Sequence, residues 1–160
     1  MYLIMGVSGC GKSTIGRLLA KDLSIPFFDG DDYHPASNIQ KMSEGIPLND
    51  DDRHNWLIEL NLLAKQHLFH GAVIACSALK EKYRETLRKD IEDKICVIYL
   101  EGSIQEIKER LTNRKDHFMP AALLKSQFDA LEPPSDAITV AISLPPEDIV
   151  DNIRTVLKSM

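Results

Sequence analysis

Residues 6–13 read Gly6-Val7-Ser8-Gly9-Cys10-Gly11-Lys12-Ser13, a full G-x-x-x-x-G-K-[ST] phosphate-binding loop. Its flanks restrict the fold further. Tyr2-Leu3-Ile4-Met5 is an apolar run of strand character, and Ile15, Leu18, Leu19 and Leu23 recur at roughly helical spacing behind the loop. Gly6, Gly9 and Gly11 let backbone amides wrap closely around phosphate oxygens. The following helix aims its free N–H groups and positive dipole end at the same anion. Lys12 can reach the β- and γ-phosphates, and the Ser13 hydroxyl can ligate Mg²⁺. The whole stretch, with Val7, Ser8, Cys10 and Thr14, is therefore the expected nucleoside triphosphate site. The rival, a glycine-rich strand-to-helix turn without a ligand, leaves the complete motif in its complete setting unexplained.

The rest of the chain alternates. Strand segments fall at 2–5, 25–29, 72–76, 95–100 and 137–142, and helical segments near 12–23, 35–43, 51–69, 80–90, 103–114, 120–131 and 146–158. Several strands are rich in Val and Ile without strict alternation, as expected when both faces of a parallel sheet are covered. Ser103 and Glu106 form an S-x-x-E capping box, and Pro120 and Pro146 suit first helical turns. The pattern predicts one domain over residues 1–160: a three-layer α/β/α P-loop NTPase fold with a five-stranded parallel sheet, right-handed crossovers and a helical lid. Two segments interrupt the alternation. Residues 30–53 are long, polar and charged, and they follow the second strand, where an open α/β sheet places ligands. They are the expected acceptor-binding insertion. Residues 112–120 are strongly basic and join two helices, which makes about 112–125 the expected lid.

Composition removes several classes of function. A net charge of −5 with no Lys/Arg run argues against a nucleic-acid surface. No stretch approaches the ~20 apolar residues that span a bilayer. The opening apolar run is too short for a signal-peptide core and is taken up by the first strand. Cys10, Cys76 and Cys96 are odd in number and far apart, which fits reduced thiols in a cytoplasmic protein. Cys10 is expected to tolerate the loop by pointing away from it. His67 and His70 stand at i, i+3 but without an H-E-x-x-H or a cysteine cluster, so zinc is disfavoured. A guanine-nucleotide switch is disfavoured too: no glycine has an Asp three residues before it, and Asn113-Arg114-Lys115-Asp116 misplaces the lysine of N-K-x-D.

Outside the loop, charged pairs carry the candidate chemistry. Asp29 and Asp31 point the same way if the second strand extends that far. One of them could accept a proton from an incoming hydroxyl or hold Mg²⁺ through water; a turn-forming acidic cluster is the alternative. The third strand ends Cys76-Ser77 with no aspartate for the metal. Lys80 and Arg84, four apart on a helix, could neutralise phosphate or hold a carboxylate, or be a solvated helix start. Arg53 follows Asp50-Asp51-Asp52, where a structural ion pair competes with substrate binding. Arg110 and Arg114 could bring guanidinium forks to the triphosphate as the lid closes, or be an exposed basic helix end.

Beyond these single features, the stretch Asp29-Gly-Asp-Asp-Tyr-His34-Pro35, with Asn38-Ile39-x-Lys41-Met42, Gly45-Ile-Pro47-Leu48-Asn49-Asp50-Asp51-Asp52-Arg53 and Trp56-Leu57, closely resembles the gluconokinase family. Cys76-Ser77-Ala78-Leu79-Lys80-x-x-Tyr83-Arg84 matches a second block of that family. His117-Phe118-Met119, Leu123-Leu124-x-Ser126-Gln127 and Leu131-Glu132-x-Pro134 match a third. The resemblance implies ATP- and Mg²⁺-dependent phosphorylation of D-gluconate at its 6-hydroxyl, a step that feeds sugar-acid catabolism. It also implies a fold related to adenylate and shikimate kinases, and often a homodimer. It points to Asp31 as the base, to His34, Arg53, Lys80 and Arg84 as the lining of the acceptor pocket, and to Arg110 and Arg114 as lid residues. Another small-molecule kinase on the same scaffold is the nearest rival.

Overall fold

Leu3, Ile4 and Met5 are all buried, and so are Val73, Ile74 and Ala75. Strands apolar at consecutive positions need cover on both faces, and the fold supplies it. The computed structural model describes residues 1–112 and 121–160. Five strands, β1 (Tyr2–Met5), β2 (Phe27–Asp29), β3 (Val73–Ala75), β4 (Cys96–Glu101) and β5 (Ile138–Ala141), form one sheet in the order β2-β3-β1-β4-β5. Every pairing is parallel. The helices are α1 (Lys12–Leu23), α2 (Ala36–Ser43), α3 (Asp50–Gln66), α4 (Glu81–Arg88), α5 (Ile104–Thr112), α6 (Ala121–Ala130) and α7 (Pro146–Ser159).

Alternation along β1 sends Ile4 to one side and Leu3 and Met5 to the other. Ile4 joins Ile15 and Leu19 of α1, Ile107 of α5, Leu124 of α6, and Ile149 and Ile153 of α7. Leu3 and Met5 join Trp56, Leu57 and Leu60 of α3 and Leu87 of α4. The result is a three-layer α/β/α domain. Each fully buried large apolar side chain contributes about 1.5–3 kcal/mol, so the two clusters together supply the main favourable term.

The elements follow the expected pattern, with local reasons for the differences. β2 starts at Phe27, two residues later than expected, because α1 ends in a left-handed Ser24 and Pro26 cannot donate to a ladder. α3 stops at Gln66, where His67 and Gly71 turn the chain back on Ala64 and His67. At its start, the Asn49 side chain accepts from the Asp52 N–H at 2.8 Å and the Asp52 carboxylate accepts from the Asn49 N–H at 2.9 Å. This capping box stands beside the acidic run, whose charges also suit the positive helix end. The Ser103–Glu106 box forms as expected, and Pro146 takes the first turn of α7. Pro120 lies outside the described residues.

The turn after β2 is held from below. Trp56 Nε1 donates to the Gly30 carbonyl at 2.7 Å, and buried Asn61 donates to the Leu87 and Lys89 carbonyls, locking α3 to the end of α4. Gly30 lies so near β3 that an added Cβ would stand 2.5 Å from the Ala75 carbonyl oxygen. Gly30→Ala is therefore expected to force β2 from β3 and to destabilise the fold by about 1–3 kcal/mol. A urea titration checks this, and an unchanged midpoint would contradict the close approach.

Candidate active site

The phosphate loop leaves the carboxyl end of β1 through Gly6, Gly9 and Gly11, all at positive φ (145°, 83° and 103°). At Gly6 a Cβ would meet Cys10 Sγ at 2.8 Å and the Leu100 carbonyl oxygen at 2.9 Å, so the loop has no room for a side chain there. α1 begins with no side-chain cap and no acid in its first turn. Its first N–H groups and positive end are left for an anion. Lys12 Nζ donates to the Val7 carbonyl at 3.1 Å, which folds the lysine over the cradle. The Cys10 side chain is buried in the core, so this residue faces the cradle only with its backbone.

At the same edge of the sheet, Ser13 Oγ donates to Asp29 Oδ2 at 2.5 Å. β2 ends at Asp29 and the chain enters a 3₁₀ turn, Gly30–Tyr33. The strand does not extend to Asp31, so the condition under which the two carboxylates would point the same way is not met. Asp29 faces Ser13 and caps the turn, accepting from the Asp31 N–H at 3.2 Å. The Asp31 side chain is 76% exposed, with Oδ1 at 3.9 Å from His34 Nε2. His34 is buried and stacks on Trp56 at 4.0 Å. Burial lowers its pKa despite the nearby Asp31. Its Nδ1 lies 3.3 Å from Asn38 Nδ2, which also donates to the Asp52 carbonyl. His34 is thus a buried support beside Asp31.

At the carboxyl end of β3 the Cys76 thiol is buried, and burial pushes its pKa up to about 12. That end carries no aspartate, as read in the sequence, and Ser13 with Asp29 is the available metal-side pair. Both atoms are hard oxygens, which suits Mg²⁺. Among the described residues no group of three or more His, Cys, Asp or Glu could hold an ion alone. The ligands of Mg²⁺ would be completed by phosphate oxygens and water, the usual habit of this ion.

A cleft of about 250 Å³ opens between the start of α3, residues 79–83 and α6, lined by Arg53, Asp50, Lys80, Tyr83 and Gln127 among others. Arg53 Nη1 donates to the Leu48 and Asn49 carbonyls, and its guanidinium lies 5.5 Å from the centre of the Tyr83 ring. Its other donors have no acceptor among the described residues. Lys80 Nζ bonds Asp50 Oδ1 at 3.1 Å, and Asp50 also accepts from Lys82 and from the Tyr83 hydroxyl. A larger surface depression beside Glu81, Glu85, Arg88 and Asp136 is mostly acidic and includes no residue of the phosphate loop, so it does not suit an anionic substrate.

Two arginines depart from expectation. Arg84 is buried, 1% exposed, and does not share a face with Lys80. Its Nη1 donates to the Ala78 and Leu79 carbonyls, and Nε and Nη2 go to Glu81. The strained turn at Ala78, φ 45°, consumes this guanidinium and leaves none for a substrate. Arg110 sits in the last turn of α5, a helix anchored by fully buried Ile107. It donates to the Ile142 carbonyl, and its Nη1 would be 3.8 Å from a Cβ placed on Gly11. It reaches the loop from a core helix. Arg114 and most of the expected lid lie outside the described residues, while the described part, α6, buries Leu124 in the core. Gln127 belongs to a motif block that implies no role for it. In the structure its Oε1 accepts from the Ser8 N–H at 2.6 Å. Tyr83 and Asp50 likewise were legible as motif positions without a role.

A shikimate kinase family model matches residues 8–151. The thermosensitive gluconokinase of Escherichia coli K12 is 50% identical over 137 residues, covering 83% of this chain and 72% of that protein. A probable gluconokinase of Xenopus tropicalis is 47% identical over 151 residues, covering 84% and 80%. A crystal structure of a gluconokinase from Sinorhizobium meliloti 1021 superposes with a TM-score of 0.90 at 39% identity, over 99% of this chain and 91% of that one.

The charge network gives a pH signature. Hydrogen bonds from Lys82, Tyr83 and Lys80 hold the Asp50 carboxyl well below the usual carboxylate range. A depressed folded-state pKa contributes stability that is complete above the unfolded value, about 4, and is lost as pH falls toward the folded value. Asp50→Asn is expected to lower the urea midpoint at pH 7, with the gap from the parent narrowing steadily below about pH 4. A gap that stays constant on acidification would contradict the network.

Proposed function

The chain belongs to the gluconokinase family, and from that premise we propose that it transfers the γ-phosphoryl group of ATP, with Mg²⁺, to the 6-hydroxyl of D-gluconate. The products are ADP and 6-phospho-D-gluconate. The observation that carries the reading is the Ser13–Asp29 hydrogen bond, which joins the head of the triphosphate helix to the segment bearing Asp31.

Phosphoryl transfer asks little covalent chemistry of the protein; positioning and charge neutralisation do most of the work. The loop amides and the start of α1 hold the β- and γ-phosphates. Lys12 leaves the Val7 carbonyl for the phosphoryl oxygens, and Arg110 reaches them from α5. Mg²⁺, held by Ser13 with Asp29 behind it, would neutralise charge on the bridging oxygens. Asp31 takes the proton of the 6-hydroxyl as that oxygen bonds to phosphorus and the bond from phosphorus to the β–γ bridging oxygen breaks. His34, kept neutral by burial, braces Asp31 from the side. Arg53, with donors to spare, and Lys80 pair with the gluconate carboxylate. Arg84 supports this pocket by fixing the turn that presents Lys80.

The reading extends to partners and place. ATP and gluconate are the ligands. Among the described residues no helix is long and apolar enough to cross a membrane. Three free cysteines suit the reducing cytoplasm. Exposed Ile58 and Leu62 on α3, with Phe69 beyond it, suit a homodimer contact.

Two variants test the roles. Asp31→Asn is expected to bind ATP nearly as the parent does while turnover falls at least ~10²-fold, the scale of a general base. Near-normal turnover would remove Asp31 from that role. Lys12→Ala is expected to lose at least roughly 10²-fold in phosphoryl transfer; retained activity with gluconate would overturn the phosphate-site assignment. Coupled measurement of ADP release reads both.

A further inference from the structure

We propose that the side-chain amide of Gln127 is a further donor to the carboxylate of the acceptor, aimed into the cleft by the phosphate loop itself. The proposal rests on the gluconokinase reading of the site and adds a specificity-determining residue to it. The loop fixes which way the amide faces. The Val7 carbonyl accepts from Lys12 Nζ at 3.1 Å and from the Cys10 N–H at 3.3 Å, so it is turned into the loop. The Val7–Ser8 peptide is trans, and a trans peptide points its N–H opposite to its carbonyl. The Ser8 N–H therefore faces out of the cradle, toward α6, where Gln127 Oε1 accepts it at 2.6 Å. A backbone N–H can be met only by the oxygen of a side-chain amide, so chemistry tells the two ends of this group apart. The Cys10 N–H still holds the Val7 carbonyl after Lys12 turns to a phosphate, so nucleotide leaves the Ser8–Gln127 bond intact.

With Oε1 engaged, Nε2 is the end left for a ligand. Its two N–H groups have no acceptor among the described residues, and the residue lines the cleft together with Arg53, Lys80 and Tyr83. Arg53 likewise has donors without an acceptor among the described residues, and Lys80 Nζ gives Asp50 one of the three bonds it can make. The cleft's own carboxylate, Asp50, already accepts from Lys80, Lys82 and Tyr83. A cleft that offers donors and whose carboxylate is engaged suits a group that only accepts. An ionised carboxylate is such a group, with room for about four hydrogen bonds. Gln127 serves one of them from the α6 side, while Arg53 and Lys80 serve the others.

α6 does not depend on Gln127 for its place. Leu124 is buried in the core. Beyond its last turn, the Glu132 N–H donates to the Leu79 carbonyl at 2.8 Å and the Glu132 carboxylate accepts from the Glu81 N–H at 2.6 Å. Neighbouring Ser126 also lines the cleft, but its Oγ donates within the helix, to the Leu123 carbonyl, and so does not substitute for Gln127. Removing the Gln127 amide therefore takes donors from the cleft and leaves its walls anchored.

Calorimetric titration of gluconate into the full-length protein, saturated with a non-hydrolysable ATP analogue and Mg²⁺, tests the proposal. The affinity for the analogue alone is measured alongside, as a control on the loop. Gln127→Met keeps the length of the side chain but has no N–H donor. It is expected to bind gluconate at least ~10-fold more weakly than the parent, the scale of one hydrogen bond to a charged group, with the affinity for the analogue unchanged. Gln127→Glu keeps the side-chain volume and an oxygen for the Ser8 N–H, but it sets a carboxylate oxygen where Nε2 stood. It is expected to bind gluconate more weakly still, because two carboxylates then face one another. A residue that served only to hold Ser8 would be rescued by glutamate, so parental gluconate affinity in Gln127→Glu overturns the proposal. That variant decides alone if the methionine variant does not fold. Parental gluconate affinity in Gln127→Met, or an equal loss of gluconate and analogue there, also overturns it. A parent that binds the analogue but no gluconate at all would instead overturn the gluconokinase reading.

Discussion

β1 is hydrogen-bonded on both edges, to β3 and β4, and its Leu3, Ile4 and Met5 are buried between two helical layers. A strand confined in this way delivers the chain leaving it to one fixed place. Gly6 emerges against the Leu100 carbonyl and Cys10, and only a residue without a side chain can turn there. The helix that follows must pack back onto the sheet, which it does through Ile15 and Leu19. That return sets its first turn above the end of β2, level with Ser13's partner Asp29. The meeting of nucleotide and acceptor segments is thus a consequence of parallel pairing: β2 and β1 both flank β3, with Asp29 and Ile4 both in register with Ala75.

The two helix starts near the site are treated in opposite ways. α1 begins without a side-chain cap and without acids, so its amides and dipole remain available to phosphate. α3 begins with Asn49, Asp50, Asp51 and Asp52, and Asn49 and Asp52 satisfy one another. No anion is needed there. The surplus carboxylate of Asp50 instead collects Lys80, Lys82 and Tyr83 and joins α3 to α4 across the mouth of the cleft. Lys80 is thereby held in place at the cost of partial neutralisation, and Arg53 beside it keeps donors that no acceptor among the described residues takes. The division of labour between a fixed lysine and a freer arginine suits a monoanionic acceptor.

Much of this was legible in the chain because the signals were local. The loop motif and its flanking periodicities located β1 and α1, and Val/Ile-rich runs located the buried strands. The Ser103–Glu106 box and Pro146 placed two helix starts. What escaped reading depended on tertiary geometry. Spacing put Lys80 and Arg84 on one helix face, but Lys80 is the residue before the helix, and the carbonyls of left-handed Ala78 and of Leu79 claim the arginine. Spacing also paired Asp29 with Asp31, but the strand ends at Asp29 where Trp56 seizes the Gly30 carbonyl. His34 reads as a polar pocket residue, whereas stacking on Trp56 makes it part of the floor. Gln127 finds Ser8 across most of the chain, a contact with no local signature.

The central claim is that the cleft beside the phosphate loop selects a sugar-acid alcohol as the phosphoryl acceptor. Steady-state kcat/KM with ATP and Mg²⁺ across gluconate, related aldonic acids, shikimate and nucleoside monophosphates tests it most directly, with the phosphorylated product identified by phosphorus NMR. The account predicts that gluconate is the preferred acceptor and is phosphorylated at its 6-position. Preference for shikimate or a nucleotide, or ATP consumption without a phosphorylated aldonic acid, would contradict it.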